Sequence, residues 1–494
     1  MQSPAFVEEV VRTVALLFLM VWSGAQAAGQ FDLVIAGGRV MDPESGLNAV
    51  RHIGIRGGRI EAISESPLSG KDVIQAGGSI VAPGFIDLHA HGQTNEANEY
   101  QAHDGVTTAL ELEIGVPSVA AFLKSREGRA LLNFGATASH GAMRAMSMRD
   151  MAPDADAARD PLQFGYEITA KGRYKPLTHP EEYTQLAATL ERGLREGGLG
   201  IGMAHQYYPA ASREEIFRVF QMAARWKVPI FVHVRSMSVD AMQEVIANAA
   251  AAGASLHIVH VNSMSLGALP LVLDMIESAR DRGLDITTEA YPYTAASTFL
   301  ESTMFDEGWQ QRLGISYNDL QWVPTGERLT QETFERYRKQ GGFVIMHLMK
   351  PEWIRRAVTS PFVMIASDGM PYAPGAHPRS AGTFSRVLGL YVREQQALPL
   401  MDAIAKMTIM PARRLESIAP AMKAKGRIRV RADADITVFD AARVKDTATF
   451  GKGLSFSDGI QHVLVNGVAI VRDGKTVAGA YPGKPVTGAY GRLR

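Results

Sequence analysis

Between Phe85 and about Ile418 the hydrophobic positions alternate between two textures: short, nearly unbroken apolar runs of strand length, and longer stretches with apolar residues at helical spacing. That alternation predicts βα units arranged around a parallel sheet. The strand runs are FIDLHAH, TTALELEIG, LLNFGATAS, LGIGMAH, PIFVHVR, LHIVHVNS, DITTEAYPY, FVIMHLM and FVMIASDG. They are one more than a (β/α)8 barrel needs, so one is misread or belongs to an insertion. Among the helices, Ser212 with Glu215 forms a capping box ahead of IFRVFQMAARW. The polar, irregular stretch at residues 301–340 reads as an inserted lid near the site, the alternative being a helical excursion without substrate contact.

On either side of this region the texture changes. From Phe31 to about Ala82, and again after about Ala421, short β runs (FDLVIAGGRVMD, HIGIRGGRIEAI; ADITVFD, GIQHVLVNGVAIVRDG) are broken by glycine pairs and turn residues. Neither end alone makes a good core, so the two are expected to pair. The predicted architecture is α/β: a TIM-like (β/α)8 barrel over residues 85–420, beside a small β-sandwich built from residues 29–84 and 421–494.

The leader and composition narrow the picture further. An apolar core from Val14 to Trp22, followed by small residues through Ala27-Ala28, reads as a signal peptide over residues 1–28. Export to the periplasm or medium is expected, with an uncleaved N-terminal anchor as the alternative. Glu8 and Glu9 dilute the usual positive start, and the core is too short for stable membrane insertion. Basic and acidic residues balance at 51 each, which leaves no global electrostatic case for nucleic acid. The chain has no cysteine, which excludes disulfides, thiolate zinc sites and cysteine nucleophiles; a metal must be held by His, Asp, Glu or a modified lysine.

The chemistry concentrates at strand ends. In VAPGFIDLHAH, alternation sends His89 and His91 to one side. Glu113, His233, His260 and Asp368 each close another strand run, and a parallel barrel brings all such ends to one face. Four imidazoles and two carboxylates there suit zinc or a similar divalent ion. Such an ion activates water and polarises a carbonyl. Asp368 is placed to accept the water proton and pass it to the departing amine.

VAPGFIDLHAH, GVTT, VHVRS, HIVHVNS, YPYTAAST, IMHLM, MIASDG, HPRSAGTFSRVLGLYVRE and GAYPGKPVTG together resemble the amidohydrolase superfamily, and within it the D-aminoacylase (N-acyl-D-amino-acid deacylase) branch. The resemblance implies a distorted barrel with a β-sandwich and one or two metal ions, with His89 and His91 at one position, His233 and His260 at the other, and Asp368 as acid/base. D-aminoacylases typically place a cysteine shortly after GVTT; here the nearest candidates are Glu111 and Glu113, of which Glu113 lies nearer the strand end and is taken as the bridge. No lysine sits at a corresponding strand end, which argues against a carboxylated lysine.

For substrate binding the candidates are Arg379 as a fork for a carboxylate, Tyr291 and Tyr293 as hydroxyl donors, and His205 and His347 as donors to the polarised carbonyl. Each has a bland alternative as a surface charge or a satisfied buried group. The reading is a zinc-dependent hydrolase of a C–N bond in a small amide bearing a carboxylate, with an N-acyl amino acid first. A dipeptidase, a cyclic-amide or lactone hydrolase, and a metal-binding protein without catalysis are the rivals. Oligomeric state is left open.

Overall fold

The computed structural model describes residues 31–151 and 160–490. The leader read at residues 1–28 lies outside them, and no helix among the described residues is long and apolar enough to cross a membrane. Eight parallel strands follow one another in chain order around a barrel: Phe85–Asp87, Val106–Val116, Asn133–Ser139, Ile201–Ala204, Pro229–His233, Ser255–Ile258, Ile286–Ala290 and Val363–Ile365. Past the strand ends the first and last are tied together, since His91 donates its N–H to the Gly369 carbonyl (2.8 Å) and Gly369 donates to that of His89 (3.3 Å). The ring is thereby nearly closed on the side where the histidine pair meets Asp368.

FVIMHLM is the surplus run. Phe343–His347 pairs antiparallel with Ala295–Phe299 and Leu320–Trp322 in a separate three-stranded sheet. The excursion is therefore longer than residues 301–340, and its aromatic residues Trp309, Trp322 and Phe334 pack into the neighbouring core. An apolar run of five residues cannot declare which sheet it joins, because burial on both faces looks the same in either.

The second barrel strand carries an irregularity that matters for the site. Glu111 pairs with Ala136 and Val116 with Ala138, so residues 112–115 bulge out of the ladder. Gly115, at φ 68°, makes the bend, and the Glu111 carboxylate accepts from the N–H groups of Ile114 (3.2 Å) and Gly115 (3.4 Å). Such bulges re-aim side chains.

Both ends of the chain meet in a nine-stranded sheet, where Ile436–Phe439 pairs antiparallel with Ile80–Pro83. Its first strand, Phe31–Asp42, breaks register between Ile35 and Gly38 and so serves Gly70–Gln75 with one half and Ile80–Pro83 with the other. A Cβ on Gly38 would lie 2.4 Å from Val81 Cγ2, so only glycine fits that crossing. Ile35, Val40, Ile53, Ile74, Ile436 and Val438 form its core. The closing segment then leaves the sheet: Val486 donates to the Phe134 carbonyl (2.7 Å) and Gly488 to that of Gly197 (2.9 Å), across the barrel face opposite the histidines.

Ser212 caps its helix, accepting from the Glu215 N–H (3.0 Å), but Glu215 does not complete the box. Its carboxylate is buried against Arg144 Nε (2.8 Å) and His140 Nε2 (3.1 Å). The ion pair outcompetes the cap because Arg144, 1% exposed, has no access to water. Glu215→Ala strands that guanidinium and is expected to cost about 3–5 kcal/mol, read as a lowered denaturant midpoint.

Candidate metal centre

Each strand-end residue arrives by its own local geometry. His89 and His91 follow the first strand, Glu113 sits in the bulge of the second, and His233 ends the fifth. His260 and Asp368 lie just past the sixth and eighth strands, at φ 30° and 51°. Left-handed backbone is uncommon away from glycine and asparagine, and here it turns an imidazole and a carboxylate inward. None of the six is more than 7% exposed.

They converge on the Glu113 carboxylate. Its Oε2 lies 3.1 Å from both His89 Nε2 and His91 Nε2, and its Oε1 lies 2.5 Å from His233 Nδ1 and 3.3 Å from His260 Nε2. Asp368 Oδ1 stands 3.4 Å from His89 Nε2 and 3.3 Å from His91 Nε2. The potential ligand atoms of His89, His91 and Asp368 all fall within 4.8 Å of one another, as do those of His89, Glu113 and His260.

The remote imidazole nitrogens show which lone pairs point inward. Glu289 Oε1 accepts from His89 Nδ1 (2.6 Å), Glu111 Oε2 from His91 Nδ1 (2.7 Å), and Gln206 Oε1 from His233 Nε2 (2.8 Å). With those protons engaged outward, the inward nitrogens are bare acceptors facing carboxylate oxygens, an arrangement that repels itself unless a cation sits among them. Burial opposes charge on His89 and His91, yet the carboxylates around them, Asp368 and Glu113 for His89 and Glu111 for His91, push both well above the ordinary imidazole range. The pocket calls for positive charge, and the N/O donor set fits a divalent ion such as zinc. Asp368 is held well below the usual carboxylate range: burial pushes it up, but Arg379 and His89 outweigh that.

A cavity of about 240 Å³ opens over this cluster, with His91, Glu113, His233, His260 and Asp368 on its wall together with Tyr166, Arg173, Tyr207 and Phe299. From the predicted lid only Glu301, Ser302 and Met304 reach it, so the excursion contributes its first turn and not its bulk.

None of the five substrate-binding candidates lines that wall. Arg379 is a buried partner of Asp368, its Nη1 2.8 Å from Oδ2, with its guanidinium 4.6 Å over the Tyr291 ring. Tyr293 turns away, donating to Asp446 (3.2 Å) under Arg386. His205 is buried beside His140 and Tyr208, and burial drives its imidazole well below the normal range. His347 belongs to the inserted sheet and meets Gln321 Oε1 at 3.0 Å. The last three are set aside because alternation and strand pairing, invisible in a single run, aim them elsewhere.

The amidohydrolase family's sequence model matches residues 72–471. N-acyl-D-glutamate deacylase of Alcaligenes xylosoxydans xylosoxydans is 31% identical, over 89% of this chain and 94% of that protein. D-aminoacylase of the same organism is 28% identical over the same shares. Among solved structures, N-acyl-D-glutamate deacylase of Bordetella bronchiseptica, complexed with zinc and a phosphonate that mimics the tetrahedral intermediate, superposes with a TM-score of 0.78 at 25% identity, over 93% of this chain and all (100%) of that one.

The chain belongs to the amidohydrolases, in their D-aminoacylase branch.

In this amidohydrolase two of the groups behind the histidines, Glu289 and Gln206, escape sequence reading. Glu289 also accepts from His257 Nε2 (3.0 Å), and His260 offers it a backbone N–H at 3.4 Å. Burial pushes Glu289 up, but His89 and His257 hold its carboxyl at about 2. The signal was present: Glu289 closes DITTEAYPY much as Glu113 closes its own strand. For Gln206 nothing distinguishes an amide after a strand from an ordinary loop residue.

Proposed function

We propose that this amidohydrolase is an exported zinc enzyme that hydrolyses the amide bond of N-acyl amino acids, the D forms first. The observation that carries the reading is the Glu113 carboxylate, which turns one oxygen to each histidine pair with Asp368 alongside, at the wall of a cavity large enough for a small amide. Zinc in such a set polarises the scissile carbonyl and lowers the pKa of water.

The protein's own residues supply the rest. Asp368, ionised and clamped by Arg379, takes the proton of the attacking water on its carboxylate and delivers it to the leaving nitrogen. Beside it, the Ser297 hydroxyl lines the cavity and is buried without a hydrogen-bond partner among the described residues. Buried donors without partners are uncommon. A substrate carboxylate offers that hydroxyl an acceptor, which favours an N-acyl amino acid over a lactone or cyclic amide. Export is supported by the Val14–Trp22 core and the small residues after it, and N-terminal sequencing of secreted protein tests it by finding or missing a start near Gly29.

The test of the activity is a substrate panel on purified protein: N-acetyl-D-amino acids, their L forms, dipeptides, hydantoins and lactones. Expected is turnover of the N-acyl amino acids that a chelator abolishes and Zn2+ restores. Faster cleavage of the cyclic substrates, or activity untouched by chelation, overturns the reading.

A further inference from the structure

One wall of the cavity belongs to a segment that supplies none of the candidate ligands. The helix Pro161–Gly172 comes after the third barrel strand and the short helix His140–Met146. Its residues 163, 166, 167 and 170, three and four apart, turn one face to the cavity. The helix end is fastened at three points to strand Ala295–Phe299 and the residues that follow it. Arg173 Nη1 donates to the Glu301 carbonyl (3.1 Å), the Tyr174 hydroxyl donates to Asp306 (2.8 Å), and the Tyr166 ring meets that of Phe299 at 5.5 Å, edge toward face.

Three tyrosines line the cavity, and their hydroxyls are not held alike. That of Tyr207 is bonded to the Thr298 hydroxyl at 2.9 Å, and that of Tyr208 meets His140 Nδ1 at 3.1 Å. The Tyr166 hydroxyl is buried without a hydrogen-bond partner among the described residues. The carboxylates on its side of the cavity are already engaged: Glu111 accepts from His91, Ile114 and Gly115, and both Glu113 oxygens face imidazoles. Burial pushes the Tyr166 phenol well above its ordinary value; His91 opposes this, and Glu111 and Glu113 add to it. At neutral pH the group is a fixed donor.

A buried hydroxyl left unpaired costs stability, and such groups are rare in native structures. On the wall of a reaction cavity, the missing acceptor is an atom that arrives with the substrate. On the reading above, the substrate carboxylate belongs with Ser297. The remaining acceptor is the amide oxygen, on which negative charge grows as water adds to the carbonyl.

From this placement we infer that Tyr166 is a further catalytic residue: its hydroxyl donates a hydrogen bond to the amide oxygen, and the bond strengthens as that oxygen becomes an oxyanion. No proton is transferred. The O–H bond of Tyr166 stays whole, and the charge returns to the carbonyl when the C–N bond breaks. The contact with Phe299 and the ties at Arg173 and Tyr174 set the hydroxyl in place before substrate binds, which is what gives such a donor its effect. The inference rests on the amide-hydrolase reading above and adds a residue to it.

The test is Tyr166→Phe, which keeps the ring against Phe299 and removes only the hydroxyl. With the fastest N-acetyl amino acid of the panel, kcat is expected to fall about 10²-fold at unchanged zinc content, while KM stays within about threefold. The N-methylphosphonyl derivative of the same amino acid copies the tetrahedral centre, and its affinity should fall by a matching factor. Affinity for the free amino acid product should not change. The thermal midpoint should hold or rise, because the lost hydroxyl has no partner in the free protein.

A kcat within about threefold of wild type overturns the inference and leaves a phenol that meets only water. A raised KM at unchanged kcat overturns it as well, since the contact then serves ground and transition state alike. So does a lowered midpoint with product and phosphonate affinity falling together, the mark of a structural tyrosine. A wild type that cleaves no amide sinks the hydrolase reading itself; a wild type that cleaves, with a variant that keeps pace, sinks only the part given to Tyr166.

Discussion

Asp368→Asn is expected to lower kcat by about 10²–10⁴-fold while most of the bound metal remains. Asparagine keeps the shape and one oxygen toward His89 and His91, where Asp368 Oδ1 now stands at 3.4 and 3.3 Å, but it cannot accept and return a proton. The Arg379 guanidinium loses its 2.8 Å partner, so a modest fall in thermal midpoint should accompany the loss of turnover. Measuring kcat and metal content on one preparation separates the two effects. Wild-type turnover in this variant rules out Asp368 as the proton carrier.

Glu113→Ala should do more damage, because its two oxygens face both histidine pairs. Its removal deletes the two carboxylate oxygens that stand 2.5–3.3 Å from the four imidazoles and leaves Asp368, at 3.3–3.4 Å from His89 and His91, to face them. Metal content and activity are expected to fall together, with residual kcat/KM below about one thousandth of wild type. Glu113→Cys, which offers a thiolate in place of the carboxylate, should retain more metal than alanine. Equal metal in wild type and Glu113→Ala sinks the bridging role.

Much of this is legible in the sequence alone. The exchange of helical for strand periodicity marks the barrel, and charged or imidazole side chains after apolar runs mark its working face, because a parallel barrel collects every strand's C-terminal end on one side. With no cysteine in the chain, Glu111 and Glu113 stand out as the candidates for a bridging ligand. The same logic misplaced His205 and His347, which also close apolar runs but look into other surroundings.

What one dimension leaves open are relations between segments that are distant along the chain. Glu111 and Glu113 share a face in an ideal strand; the bulge at residues 112–115, set by pairing with Ala136 and Ala138, sends the first behind His91 and the second between the ligands. The partnership of Glu289 with His89 spans 200 positions. Local periodicity reports how each segment is buried, and so carries the elements and their polarity. Register, bulges and the partner of each remote nitrogen depend on which strand lies alongside, and only the assembled barrel settles that.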